Sequence, residues 1–352
     1  MLELQGGSGL PCFFCVHAPV FYSGAGLGIM VASISDPVGS CHMNRIIALI
    51  CASLLTLGLA ACGDKDASTP ASQASIERQT SDPAAAIEAF AAKLREDRLL
   101  EAVQLVVPPE NLDQLRTEWK KKLDSEPPSD EDRAEYAETM KKLTAADAEA
   151  QLYAEVEPLL IKFETEIAAQ LPMFVIMGQG FLTQAINEND DLNANQKKQA
   201  IDAVGALGGW LQSANLADRD LAKRGIGIAV KTARNLDLPT LDAVHSLDFD
   251  QSMAKTGMAF GGMKEILALY GFDLNQTLAS IKAKETSRED GVATVAVDFS
   301  LLGKPMSTET EMVERDGRWY GKDTIESLTR DLIGIQAADG KVVDKDASSL
   351  AQ

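Results

Sequence analysis

The stretch ATVAVDF, Ala293–Phe299, places an apolar side chain at every second position. Successive side chains of a strand point to opposite faces of a sheet, so this alternation predicts a half-buried β-strand. Upstream of residue 278, the apolar residues instead recur at intervals of three and four, which is typical of helices. The sequence therefore predicts an α+β fold, with a predominantly helical body and a small C-terminal antiparallel sheet of three or four strands.

The residues after this strand carry the turn signals of a sheet. Gly303-Lys304-Pro305 is expected to end the strand, and Thr308–Glu314 alternates as a second strand. Asp316-Gly317 predicts a tight hairpin that leads into Arg318-Trp319-Tyr320. A short helix is expected at about 323–334.

The helical body has clear helix starts. Asp82 suits an N-cap and Pro83 the first helical position. Ser129 with Asp132, and Thr144 with Asp147, have the spacing of capping boxes. Helices are predicted at 83–94, 99–106, around Leu112–Trp119, and at 144–171, 193–213, 217–235 and 250–271.

The middle of this body is unusually apolar. One stripe of apolar residues follows the helix 144–171, where Pro158 predicts a kink near Ala154–Pro158. After Pro172 comes Met173–Ile186, which is apolar on all sides. A helix that is apolar all round belongs inside a protein, so we expect this segment in the middle of the fold. The stripe consists of Leu152, Val156, Leu159, Leu160, Phe163, Ile167 and Leu171.

The helix at 250–271 contains regularly spaced methionines and glycines. Met253, Met258 and Met263 do not share one helical face, because five residues rotate by about 140°. They are expected to fill the core rather than bind a soft metal. Gly257 and Gly261-Gly262 predict that another helix approaches this helix closely.

The charge of the chain limits its partners. Asp and Glu outnumber Lys and Arg, which gives a net charge of −19. Nucleic acids and anionic lipid surfaces attract basic proteins, so neither is an expected partner.

The segment before residue 81 has the order of a secretion signal. Met43-Asn44-Arg45 is a short basic start, Ile46–Leu59 is an apolar run, and small residues precede Cys62. Leu59-Ala60-Ala61-Cys62 closely resembles the lipobox of bacterial lipoproteins. This resemblance implies that the chain is cut before Cys62, that lipid is attached to this cysteine, and that the protein is held on a membrane by its acyl chains.

The same resemblance implies a location. In bacterial lipoproteins the residue after the cysteine influences sorting, and Gly63 favours the outer membrane, facing the periplasm. Residues 1–42 lack the Lys or Arg of a signal, so translation is expected to begin at Met43. The predicted regions are an erroneous upstream extension at 1–42, a signal peptide at 43–61, a lipidated cysteine and flexible tether at 62–80, a helical region at 81–277, a sheet with a terminal helix at 278–335, and a flexible tail at 336–352.

Few residues are suited to catalysis. All five cysteines lie at or before Cys62, and His245 is the one histidine beyond it. Asp242, His245, Asp248 and Asp250 form an alternative divalent-metal site. We favour a structural interpretation, in which His245 ends a helix and Asp248 or Asp250 caps the next one. No phosphate-binding glycine loop, zinc pattern or dinucleotide fingerprint occurs in the sequence, so no cofactor is expected.

Two hypotheses for function follow. The first is a non-enzymatic role in binding or envelope assembly, in which the body engages another envelope protein or an apolar ligand between helices. The alternative is a hydrolase with two facing carboxylates in a deep cleft. The C-terminal strands resemble those of cystatin-like or NTF2-like domains of bacterial lipoproteins, in "ATVAVDFSLLGKP" and "EMVERDGRWY".

Overall fold

The computed structural model of the protein describes residues 76, 79–125, 127–190 and 192–330. It has the α+β fold that the sequence predicts, a helical body followed by a C-terminal antiparallel sheet. The sheet is a four-stranded meander in which each strand pairs with the next along the chain. Its strands are β1 (Lys282–Glu289), β2 (Val292–Leu301), β3 (Lys304–Arg315) and β4 (Arg318–Gly321).

The helical body carries most of the elements. Its helices are α1 (Pro83–Arg95), α2 (Leu99–Val106), α3 (Pro109–Ser125), α4 (Asp130–Thr144), α5 (Ala148–Lys162), α6 (Leu171–Glu188), α7 (Ala194–Ser213), α8 (Arg219–Leu236), α9 (Leu241–His245), α10 (Phe249–Leu269) and α11 (Leu274–Ala279). A π-helical turn, Phe163–Ile167, follows α5, and residues 322–330 are helical after β4.

The alternation in β2 is confirmed. Ala293, Val295 and Val297 are buried, whereas Asp298 on the opposite face is exposed. The strand break is shorter than predicted, since β3 already begins at Lys304 and only Leu302-Gly303 forms the turn, both with positive φ. Pro305 is tolerated inside β3 because β4 pairs only with residues 312–315, so the missing N–H interrupts no ladder on that side.

The Asp316-Gly317 hairpin is also confirmed. Both residues have positive φ, 52° and 74°, as a type I′ turn requires. Strand β1 at the edge of the sheet is rich in Lys, Glu, Ser and Arg and is largely exposed. Such side chains discourage pairing with another chain, and they are also why alternation does not reveal β1 in the sequence.

One hydrophobic core joins the sheet to the helices at the two ends of the body. Its buried side chains come from α1, α2, α3, α10, α11 and the strands, with Trp319 among the largest. None of its members lies between residues 126 and 248. The change of pattern at residue 278 is therefore a change of secondary structure within one core.

Helices α4–α9 form a separate layer beside this core. Helix α8 packs on α10, α4 and α5, while α6 packs on α7 and α7 reaches β3. The buried apolar side chains of the layer are few and small. They are Ala148, Val175, Ala200, Ala206, Ala222, Val230 and Ala233.

The beginning of the body is fixed to the sheet. Asp82 caps α1 by accepting a hydrogen bond from the Ala85 backbone N–H, as predicted. Residues 79–80 are already helical, and Thr80 is fully buried. The Arg318 side chain donates to the Thr80 hydroxyl over 3.0 Å. The folded body therefore begins before Ser81, where the sequence pattern placed its start.

One of the two predicted capping boxes forms. Ser129 and Asp132 exchange both hydrogen bonds at the start of α4. The prediction for Thr144 and Asp147 is wrong, because α4 continues through Thr144, whose hydroxyl donates to the Met140 carbonyl instead. Asp147 precedes α5 without a side-chain cap.

The glycines of α10 admit close neighbours, and the expected helix is found at Gly262, whereas Gly257 lies against the turn between α1 and α2. A Cβ atom at Gly257 would overlap the backbone oxygen of Asp97, and one at Gly262 would overlap the side chain of Thr232 in α8. The expectation that the methionines fill the core holds for Met253 alone, since Met258 and Met263 are exposed. Their positions rotate away from the buried face of α10.

Candidate binding surface

A run of large apolar side chains lies exposed between residues 159 and 181. We call this run the apolar tract. It begins near the end of α5, passes through the π-helical turn and continues along α6. Ile176 and Phe181 are 63% and 72% exposed. The tract consists of Leu159, Ile161, Ile167, Met173, Phe174, Ile176, Met177 and Phe181.

The first part of the tract lies near the end of α5. Helices α5 and α8 pack side by side, with the Lys223 ammonium 4.7 Å from the centre of the Tyr153 ring. Helix α8 begins at Arg219, whose guanidinium reaches Glu164 at 2.9 Å. The end of α5 therefore lies beside the start of α8, and Leu159 there is 55% exposed.

The second part of the tract is the outward face of α6. The inward face packs on α7, where Val175 is buried and the Gln179 amide donates to the Val204 carbonyl over 3.2 Å. Gly208 of α7 makes room for the Gln179 side chain. At about 100° per residue, Met173 and Met177 point away from α7.

This arrangement corrects one prediction of burial. Met173–Ile186 lies at the surface, with Val175 as its one buried side chain. The period of the sequence shows which residues share a face, but it does not show whether a partner covers that face. Helix α6 is apolar all round, yet among the described elements it packs on α7 alone.

The α6 part of the tract differs from the rest of the surface in its charge. No ionisable side chain lies between Glu166 and Glu188, in a chain with a net charge of −19. Before it, Glu164 pairs with Arg219, and Glu157 accepts a hydrogen bond from the Tyr153 hydroxyl. An uncharged, exposed and apolar helix face of this kind is typical of an interaction site.

A π-helical turn connects the two parts of the tract. Phe163–Ile167 follows α5 directly, and Pro158 lies within α5 without ending it. Short π-helical segments inside helices are frequent at functional sites. None of the helices in the described part of the chain is long and apolar enough to cross a membrane.

The structure gives three of the four candidate metal ligands partners of their own. Asp242 accepts a hydrogen bond from Arg133 at 3.0 Å, and Asp250 accepts two from Arg116 at 2.9 and 3.0 Å. Asp248 caps α10 through the Gln251 backbone N–H, and His245 ends α9. The favoured structural interpretation is confirmed for His245 and Asp248.

The residues that the structure describes contain no group of three or more His, Cys, Asp or Glu arranged to hold a metal ion. The carboxylates of Asp242 and Asp250 are instead used to join α9 to α4 and α10 to α3.

A cavity of about 410 Å³ lies between α4 and α8. It is a second candidate site, for the apolar ligand considered above. Asp237 is its one carboxylate, so this cavity does not supply the facing pair that the hydrolase alternative requires. The cavity is lined by Ala137, Met140, Lys141, Thr144, Ala233, Arg234, Asp237, Leu238 and Pro239.

Several sequence predictions concern residues outside the described part of the chain. Cys62, the expected lipidation site, the signal 43–61 and the extension 1–42 all precede residue 76, and the predicted tail 336–352 follows residue 330. The apolar tract, in contrast, was missed as a site, although its signal was present. A run without charge from Ile167 to Asn187 stands out in so acidic a chain.

No protein-family model matches the chain, and neither the curated proteins nor the solved structures contain a match to it.

Proposed function

We propose that this protein is a lipid-anchored component of the bacterial cell envelope that acts by binding rather than by catalysis. Lipid on Cys62 holds it at the membrane, in the outer membrane facing the periplasm, and the polar segment before the folded body serves as a tether. The apolar tract is the surface that engages a protein partner in envelope assembly.

The exposure of α6 is the observation that supports this proposal. Burying one large apolar side chain contributes about 1.5–3 kcal/mol, so leaving several of them in water forgoes a large stabilisation. A monomeric soluble protein rarely exposes so many together unless they bind something. The acidic character of the chain favours a protein over an anionic lipid surface as the occupant.

A photo-crosslinking amino acid at position 177 of the full chain tests this role in intact cells. We expect covalent adducts that contain an identified envelope protein, which includes a second copy of this chain. The matched control carries the same amino acid in place of Glu131, an exposed residue on α4. If position 177 gives no adduct beyond those at position 131, the tract does not bind a protein and the proposal fails.

Metabolic labelling with palmitate tests the anchor separately. We expect label on the parent chain and none on a Cys62→Ala variant, because the thiol is the site of attachment. Label that persists in the variant, or that is absent from the parent, removes Cys62 from the proposal.

A further inference from the structure

We propose that the partner on the outward face of α6 is a second copy of this chain, paired across a twofold axis near Met177. This inference rests on the proposed function, since it names the protein that occupies the same surface. Closed pairs of identical subunits are the commonest oligomers, and their interfaces are self-complementary.

Charge is the first argument for a second copy. Two chains of net charge −19 repel each other wherever their acidic surfaces meet. A surface that binds a basic protein carries acidic side chains at the binding site. Helix α6 has no ionisable side chain before Glu188. Between Met173 and Phe181, two such acidic chains can therefore meet without like charges opposite each other.

The shape of the face is the second argument. A Cβ atom at Gly178 or at Gly180 would meet nothing within 4 Å. Glycine in a helix costs about 1 kcal/mol relative to alanine, and within the described chain no close neighbour requires these two. Gly180 lies on the outward side of α6, between Ile176 and Gln184. It leaves a depression there that admits a side chain of another helix.

Position along the helix is the third argument. The apolar residues of the outward face extend from Met173 to Phe181, with Met177 midway between them. In an antiparallel pair about Met177, Met173 of each copy lies opposite Phe181 of the other. Because the face has this internal symmetry, two copies of it can pair with apolar side chains opposite each other. No large apolar side chain of the face then lies opposite a charge.

Lipid anchoring on Cys62, where it occurs, strengthens such a pair. Two copies held at one membrane surface by tethers meet at a higher effective concentration than two copies free in solution. A modest helix–helix contact is then sufficient for assembly.

A single cysteine at the twofold position tests the pairing directly. The native cysteines all lie at or before Cys62, so the folded body has none of its own. We expect the full chain with Met177→Cys to form a disulfide-linked homodimer in the oxidising periplasm of intact cells. The parent chain sets the background, and Glu131→Cys is the matched control at an exposed site on α4.

A second substitution shows whether the disulfide link between two copies depends on the apolar face of α6. Ile176→Asp, combined with Met177→Cys, places a carboxylate on each side of the interface and is expected to abolish the homodimer. A link that persists in the double variant reports random collision and overturns the pairing, as does a Met177→Cys yield no higher than that of Glu131→Cys.

The two proposals fail in different ways. If the photo-crosslinker at position 177 captures another envelope protein while Met177→Cys gives no homodimer, the self-pairing is wrong and the binding role stands. If neither experiment gives a product above its control, both proposals fail.

Discussion

The Lys264 side chain shows how single residues connect separate elements of this fold. It is 3% exposed, and its ammonium donates to the carbonyls of Leu94 and Arg95 and to the Asn275 side chain at 2.7–2.9 Å. It also lies 2.7 Å from the Asp97 carboxylate. Burial raises the pKa of Asp97, and the bond to Lys264 opposes that rise. The Lys264 ammonium of α10 thus donates hydrogen bonds to two carbonyls at the C-terminal end of α1.

Lys264→Met keeps the length of the side chain and removes these donors. We expect the free energy of unfolding to fall by about 3 kcal/mol or more, because buried carbonyls and a carboxylate lose their partner. Denaturant unfolding measures the change. Lys198→Met, at an exposed pair with Asp202, should stay within about 0.5 kcal/mol of the parent. Equal effects of the two substitutions would contradict the role given to Lys264.

Two glycine substitutions should have opposite effects on stability. Gly257→Ala places a methyl group on the Asp97 backbone oxygen, so α10 must move and the protein should be destabilised. Gly209→Ala meets nothing within 4 Å and should stabilise α7 by about 0.5–1 kcal/mol. Thermal unfolding of both variants measures the contrast, and a stabilised Gly257→Ala protein would show that the helix does not approach Asp97.

The start of α4 shows how an element is fixed by its first turn. The Ser129 hydroxyl and backbone N–H both donate to Asp132, and they hold the pKa of this carboxyl below its usual range. A depressed pKa means that the folded state favours the ionised carboxylate more than the unfolded state does. The stabilisation is therefore present above the ordinary Asp pKa and is lost as the pH falls through the native pKa.

Ser129→Ala should raise the pKa of Asp132 towards its ordinary value, because the hydroxyl donor is removed. Titration of the Asp132 carboxyl by NMR in the parent and the variant measures this shift. An unchanged pKa would show that the capping box does not form in solution.

The exposure of α6 is testable at two adjacent residues. Val175 is buried against α7, so Val175→Ser should destabilise the protein by about 2 kcal/mol. Ile176 is exposed, so Ile176→Ser should change the stability of the monomer by about 0.5 kcal/mol or less. The free energy of unfolding of the two variants, measured at low protein concentration, checks this difference. A large cost for Ile176→Ser would mean that the face is covered within the chain.

The whole molecule is held together by contacts between the two ends of its folded body. Helices α1 and α2 pack on the sheet, and α10 packs on α2, so residues far apart in sequence share one core. Arg318 of β4 contributes to this closure by donating to the Thr80 hydroxyl and the Gln104 carbonyl at 3.0 and 2.9 Å. The segment that begins the described body is thereby attached to the sheet.

Arg318→Met should detach this segment before the rest of the protein unfolds. We expect faster amide hydrogen exchange at residues 79–86, because the Thr80 side chain loses its donor. Arg315→Met, at an exposed arginine of β3, is the matched control and should leave exchange there unchanged. Slow exchange in the Arg318 variant would show that other contacts hold the segment.

Local signals in the sequence determined the elements of this protein. Asp82 and Ser129 mark helix starts, and the alternation of Ala293–Phe299 and the Asp316-Gly317 turn mark the sheet, because each acts through neighbouring backbone atoms. The lipobox at Cys62 is a local signal too, and it stays a prediction. Burial, in contrast, depends on which helices meet.

The tertiary structure therefore decided which apolar faces are covered. The sequence predicted Met173–Ile186 in the interior, but within the described residues α6 packs on α7 along one side and exposes its opposite side. The tertiary structure likewise leaves Met258 and Met263 at the surface, although the sequence predicted them in the core. Periodicity fixes the direction of a side chain relative to its own helix, whereas contact with another helix is set by the path of the whole chain.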